Sequence, residues 1–157
     1  MTGRSEVSRL KTRLDATFQR GKVLATHADI ETQSDFARYL CVLVSGYLEK
    51  AIAELVLEHA RRHGGATLQR YVESRTRHFT NANCQRLKDL LGSFNPDWRK
   101  RLDSLLVDDL RDSVDSLVSL RHVFAHGGSA GITYVRVADY YQRIQRVVDE
   151  IADLCVP

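Results

Sequence analysis

The chain has only two prolines, Pro96 and Pro157, in 157 residues. With so few residues that lack an N–H and lock φ, little interrupts helix continuity. Cysteine is scarce too: Cys41, Cys84 and Cys155 are odd in number, far apart and without CxxC spacing. That pattern argues against a disulfide framework and fits reduced thiols in a cytosol. No long hydrophobic run is present: "YLCVLVSGYL", the longest, is about half of what a bilayer-spanning helix needs. The opening "MTGRSEVSRLKTRLD" carries charges where a secretory signal would be apolar, so a soluble cytoplasmic protein is expected. Nor is there an excess of one charge. A net charge of +3 permits nucleic-acid contact without arguing for it.

What is present is helical periodicity over a chain long enough to bury a core, with 43% hydrophobic and 27% charged residues speaking against disorder. "SEVSRLKTRLDATFQRGKVLA" spaces Val7, Leu10, Leu14 and Phe18 by three and four, an amphipathic helix. "QSDFARYLCVLVSGYLEKAIAELVLEHARRHGG" predicts the longest helix, with Ser34 or Asp35 as cap and Gly64-Gly65 as stop. "ATLQRYVESRTRHF" and "NCQRLKDLLGSF" read as shorter helices. "NPDWRKRLDSLLVDDLRDSVDSLVSLRHVFAHGG" opens on a proline at the first helical position and closes on paired glycine, with a possible break near Asp103-Ser104. "VADYYQRIQRVVDEIADLC" is the last helix, and only "GITYVRV" before it has β character, with no partner strand. The reading is an all-α antiparallel bundle of about five to six helices, one domain over residues 1–157.

One helix carries its cation on the wrong face. The stripe Leu106, Leu110, Val114, Leu117 leads to Phe124, and four residues after Leu117 stands Arg121. His122 and His126, one turn apart, share a neighbouring face. A cation on a packing stripe must be paired, solvated in a cleft or held at an interface, because an unpaired buried charge is costly; the bland alternative is an arginine that snorkels out at the helix end. A guanidinium supplies a fork of donors for a phosphate, and an imidazole is the side chain that moves protons near neutrality. Together they are a recipe for phosphodiester cleavage.

Other residues are weighed against ordinary roles. The spacing of His122 and His126 also suits a helical zinc pair, but no third ligand is near in sequence, so no metal is expected. Cys84 has no identified base and reads as a buried structural thiol. Arg75, Arg77 and His78 form a basic cluster that suits an RNA backbone, as does "WRKR", though either is more simply a solvated face. Trp98 reads as a core or interface anchor before a stacking platform. Glu49 falls at the edge of the long helix's apolar stripe, either reaching water or orienting Arg121, with a salt bridge from Glu49 or another acid as the expectation for a partly buried Arg121.

"LRHVFAHG" resembles the signature of the HEPN superfamily, an arginine, a polar residue and a histidine after four to six positions. Here these are Arg121, His122 and His126, with four residues between arginine and final histidine. The continuation "GGSAGITYVRVADYYQRIQRVVDEI" is similar to the branch called RiboL-PSP, and the likeness runs from about residue 34. The position after the arginine is often asparagine in the family; with His122 there, orienting group, second proton carrier and spectator stay open as its role. The resemblance implies a metal-independent endoribonuclease in which the 2′-OH attacks the adjacent phosphate, leaving 2′,3′-cyclic phosphate and 5′-OH ends. It also suggests a toxin or antiphage-defence role, which would bring an antitoxin partner. One chain offers few proton carriers for such a step, so a homodimer with a composite site is expected. The alternative is a catalytically silent module binding RNA, nucleotide or a protein partner.

Overall fold

The computed structural model describes residues 2–128 and 130–157, with seven helices and no strand among them. They are α1 (Gly3–His27), α2 (Ile30–His63), α3 (Ala66–Thr76), α4 (Cys84–Phe94), α5 (Pro96–Leu105), α6 (Asp108–Ala125) and α7 (Tyr134–Cys155). The all-α architecture stands as expected, with one helix more than the upper count. The extra helix comes from the long segment after Asn95, which breaks at Leu106–Asp108 and not at Asp103-Ser104. Leu106 is buried and turns out of helical ψ, and Asp108 adopts a positive φ of 48° that an aspartate tolerates better than most side chains.

Two other boundaries move. The α2 helix starts a turn before the expected caps, because the Asp29 carboxylate accepts the Thr32 N–H at 2.8 Å. In "GITYVRV" the β-prone residues are overruled: Thr133 accepts the Arg136 N–H and α7 begins at Tyr134. The buried stripe Val137, Tyr141, Ile144, Val148, Ile151 then secures the helix.

Contacts along the long helices give their directions. Arg4 reaches Asp153 and the Val156 carbonyl, while Phe18 stacks on Tyr141 at 4.7 Å, so α1 runs antiparallel to α7. His59 Nδ1 lies 3.0 Å from the Cys155 carbonyl and Tyr47 meets Tyr141 edge to face, so α2 and α7 run together. Arg143 donates to Ser113, setting α6 antiparallel to α7. One end of the bundle therefore gathers the C-termini of α1 and α6 with the N-termini of α2 and α7. The helices α3, α4 and α5 lie toward the other, where Trp98 of α5 packs on His59 at 4.7 Å. The core between them is aliphatic, with Leu40, Leu48, Ile52, Leu55, Leu117 and Ile151 fully buried.

Glu58 joins the start of α1 to α2. It accepts from Arg62 at 3.1 Å and from the Gly3 N–H at 3.4 Å. A Cβ at position 3 would stand 2.7 Å from the Glu54 carbonyl, so only glycine permits the approach. Burial pushes the Glu58 carboxyl up, but the Arg62 and Gly3 hydrogen bonds and the charges of Arg62 and Arg61 outweigh it and hold the group below the ordinary range. A depressed folded-state value means stability that is present above the ordinary glutamate range and lost as pH falls through the folded value. Glu58→Gln should therefore melt below wild type at pH 7, and the gap should close on acidification below about pH 4, as read by circular-dichroism melts.

Candidate active site

The α6 helix stops because of two glycines with different duties. Gly127 has φ +74°, and its N–H donates to the Phe124 carbonyl at 3.2 Å. The Gly128 N–H donates to the Val123 carbonyl at 2.9 Å. This pair of bonds around a left-handed residue is the Schellman arrangement, which satisfies carbonyls that the helix end leaves open. A Cβ on Gly127 would meet nothing within 4 Å, so its requirement is purely one of backbone conformation. A Cβ on Gly128 would meet Val123 Cγ1 at 2.8 Å, so there the requirement is space. His126 thereby becomes the C-cap, the residue just after the helix's last turn.

Arg121 is half-buried and His122 and His126 are exposed. The two rings lie 4.5 Å apart between centroids at 63°, as four-residue spacing dictates. At about 100° of turn per residue, the imidazoles project about 100° and 140° round the helix from Arg121. The imidazoles belong to an exposed ridge that runs Asp115, Ser119, His122, His126, while Arg121 follows the buried stripe of Leu110, Val114 and Leu117. That ridge was legible as spacing, but Asp115 and Ser119 were overlooked because neither is a signature residue. Beside it lies a cavity of about 570 Å³ lined by Ser119 and Leu120 of α6 and by Gly131, Ile132, Arg136 and Tyr140. Arg136 is the other residue that sequence reasoning missed: an exposed guanidinium 5.9 Å over the Tyr140 ring, where α7 begins.

The expected ion pair is not formed. Among the described residues no carboxylate makes a salt bridge with Arg121. Glu49 instead accepts the Asn81 N–H at 3.0 Å. Asn81 sits at φ 52° in the α3–α4 loop, where its N–H has no helical carbonyl to reach, and the glutamate answers that need. Asp115 serves the same loop, accepting the Cys84 N–H at 2.9 Å. Burial, with Asp115 alongside, pushes the Cys84 thiol up to about 12, which fits a structural thiol and leaves essentially no thiolate at neutral pH. Trp98 is buried against His59 and Phe94 as an anchor. Arg75, Arg77 and His78 are exposed at the end of α3, and Arg75 lines a different cavity, away from the end of α6. Among the described residues no group of three or more His, Cys, Asp or Glu side chains is placed to hold a metal ion. No described helix is long and apolar enough to cross a membrane.

The sequence matches the family model RiboL-PSP-HEPN over residues 5–156, and the chain belongs to that family. The match takes in α1, so the likeness begins well before residue 34. HEPN domains at large include ribonucleases, and membership suggests a nuclease-like or RNA-related function. No curated protein and no solved structure matches the chain.

The cap gives a stability prediction. Gly127→Ala should cost about 1 kcal/mol or somewhat more, the penalty of a left-handed alanine, while Gly127→Asn should cost less. Urea denaturation of the three proteins checks the order.

Proposed function

We propose that the chain is a metal-independent endoribonuclease working at the C-terminus of α6. The observation that carries this reading is a pair of exposed imidazoles beside a half-buried guanidinium with no carboxylate partner among the described residues. An arginine whose fork is not spent on an acid keeps its donors for a phosphate. Among the described residues neither His122 nor His126 engages a ring nitrogen in a hydrogen bond, so either nitrogen of each ring is open to a substrate.

In this mechanism one imidazole takes the proton from the ribose 2′-OH, and the freed oxygen attacks phosphorus. Arg121 holds the charge that builds on the non-bridging oxygens. The P–O5′ bond breaks, the leaving oxygen takes a proton from a second imidazole, and the products carry 2′,3′-cyclic phosphate and 5′-OH ends. His126 is assigned the first or second role and His122 positions it or shares it. Arg136, across the adjoining cavity, is suited to a neighbouring phosphate, and Arg75, Arg77 and His78 to RNA farther along. A toxin or antiphage-defence setting, with an antitoxin partner, belongs to the same reading.

The reading includes a C2 homodimer. Arg121 and His126 point to different sides of one helix, so a partner's His126 is an economical complement. Exposed apolar side chains support this, since Ile30 is 85% and Val135 76% exposed at the same bundle end, with Tyr39 and Val42 on α2 nearby.

Cleavage of RNA should survive chelation, yield cyclic-phosphate ends by end-group analysis, and vanish in Arg121→Ala and His126→Ala while the helical circular dichroism persists. RNA with 2′-deoxy at the scissile position should resist. Zinc-dependent recovery of a chelated enzyme would instead support the two-histidine metal site.

Purified mixed dimers with one wild-type and one His126→Ala chain should lose most of the activity. Half the activity, or an active monomer, would mean that each chain works alone.

A further inference from the structure

A cavity larger than the one beside α6 lies at the other end of the molecule, away from α6's terminus. It encloses about 810 Å³ between the end of α2, α3 and α4, within the range of about 300–1,000 Å³ typical of ligand pockets. Its lining is unusual for a solvated cleft between short helices, because rings and cations alternate. His59 and His63 stack at 4.2 Å, and Phe94 meets His59 edge to face. Tyr71 is 61% exposed there. Arg86 lies 5.5 Å over the Phe79 ring, which holds the guanidinium plane in place while leaving its N–H edge available. Arg75 lines the same space.

The charges are uncommitted. Asp89 is the single carboxylate in the lining, and it already accepts from Gln85 at 2.9 Å and Arg99 at 3.0 Å. Neither Arg75 nor Arg86 forms a salt bridge among the described residues. The histidines add a polar edge. His59 Nδ1 faces the Cys155 carbonyl at 3.0 Å and His63 Nδ1 faces the His59 carbonyl at 2.9 Å. A carbonyl only accepts, so each Nδ1 carries the proton and a neutral ring leaves Nε2 as an acceptor.

Flat ring faces, two free guanidinium forks and ring acceptors in one cavity match a planar heterocycle that bears amino groups and a phosphate. We propose that this groove binds a nucleotide through its base and its phosphate, either a free mononucleotide or one nucleotide of an RNA strand. The site is distinct from the candidate active site and does not require cleavage there. Trp98, the only tryptophan of the chain, touches His59 behind the groove and reports on it.

The test uses the intact chain, following Trp98 fluorescence and calorimetry during titration with AMP, adenosine, inorganic phosphate and an uncleavable 2′-O-methyl oligoadenylate. AMP should bind saturably, with adenosine and phosphate each at least tenfold weaker. Arg75→Ala with Arg86→Ala should weaken AMP at least tenfold, and Tyr71→Ala should weaken it about threefold, all three side chains being exposed enough to leave the fold intact by circular dichroism. Arg121→Ala and His126→Ala should bind AMP as wild type does, which separates this site from the cleavage reading. Oligoadenylate binding at least tenfold tighter than AMP identifies an RNA strand as the source, and equal binding identifies a free nucleotide. No saturable binding of AMP or the oligomer, AMP binding unchanged by the paired arginine variant, loss of AMP binding in Arg121→Ala, or phosphate binding as tightly as AMP would each overturn the proposal.

Discussion

The left-handed conformation of Gly127 constrains the whole α6–α7 end of the molecule, because it sets both where α6 stops and where the chain turns next. The other end of the connection is fastened as well: the Tyr134 hydroxyl donates to the Phe18 carbonyl at 3.1 Å, so α7 starts against α1. With both ends held, the His122–His126 pair and Arg136 flank one connection. The glycines are thus not a mere stop signal; they turn the chain so that the end of α6 and the start of α7 share an edge.

The polar side chains of α2 and α6 are divided between loop support and the exposed ridge. Glu49 and Asp115 both spend a carboxylate oxygen on backbone N–H groups of the α3–α4 segment, Asn81 and Cys84. Such bonds to buried or half-buried amides are worth more than surface ion pairs, since a stranded N–H costs about 1–3 kcal/mol. Glu49 is spent on Asn81 in this way, and among the described residues no other carboxylate pairs with Arg121. An arginine paired to Glu49 would have been a structural cation; the one present keeps its donors.

The helices were legible because their apolar spacing is regular: Leu110, Val114 and Leu117, or Val137, Tyr141 and Ile144, lie in the core as the pattern demands. The double glycine after His126 announced its helix end correctly, since a left-handed stop has a residue signature. The break at Leu106–Asp108 had none, because an aspartate at positive φ looks like any other aspartate. The partner of Glu49 was illegible for a related reason. It is a backbone N–H exposed by Asn81's unusual φ, and backbone needs created by a loop leave no mark in side-chain spacing. Arg136 was missed because its meaning comes from the cavity that α6 and α7 make together.

Two histidine pairs at four-residue spacing let the chain serve as its own comparison. In His59 and His63 each Nδ1 faces a carbonyl, and His59 is wedged against Phe94 and Trp98, so ring orientation is fixed by the fold. In His122 and His126 the rings touch each other but no ring nitrogen is engaged among the described residues, and both are exposed at a helix end. Identical spacing therefore yields a braced pair and an open pair, and the difference is made by what packs around them. An imidazole with Nδ1 on a carbonyl can still exchange a proton at Nε2, so that bond fixes the ring's tautomer and orientation, whereas the open pair is free to turn either nitrogen to a substrate. In the readings proposed above, the open pair beside Arg121 serves cleavage and the braced pair, with Arg75 and Arg86, holds a nucleotide, so the two ends of the bundle would take different parts of the work.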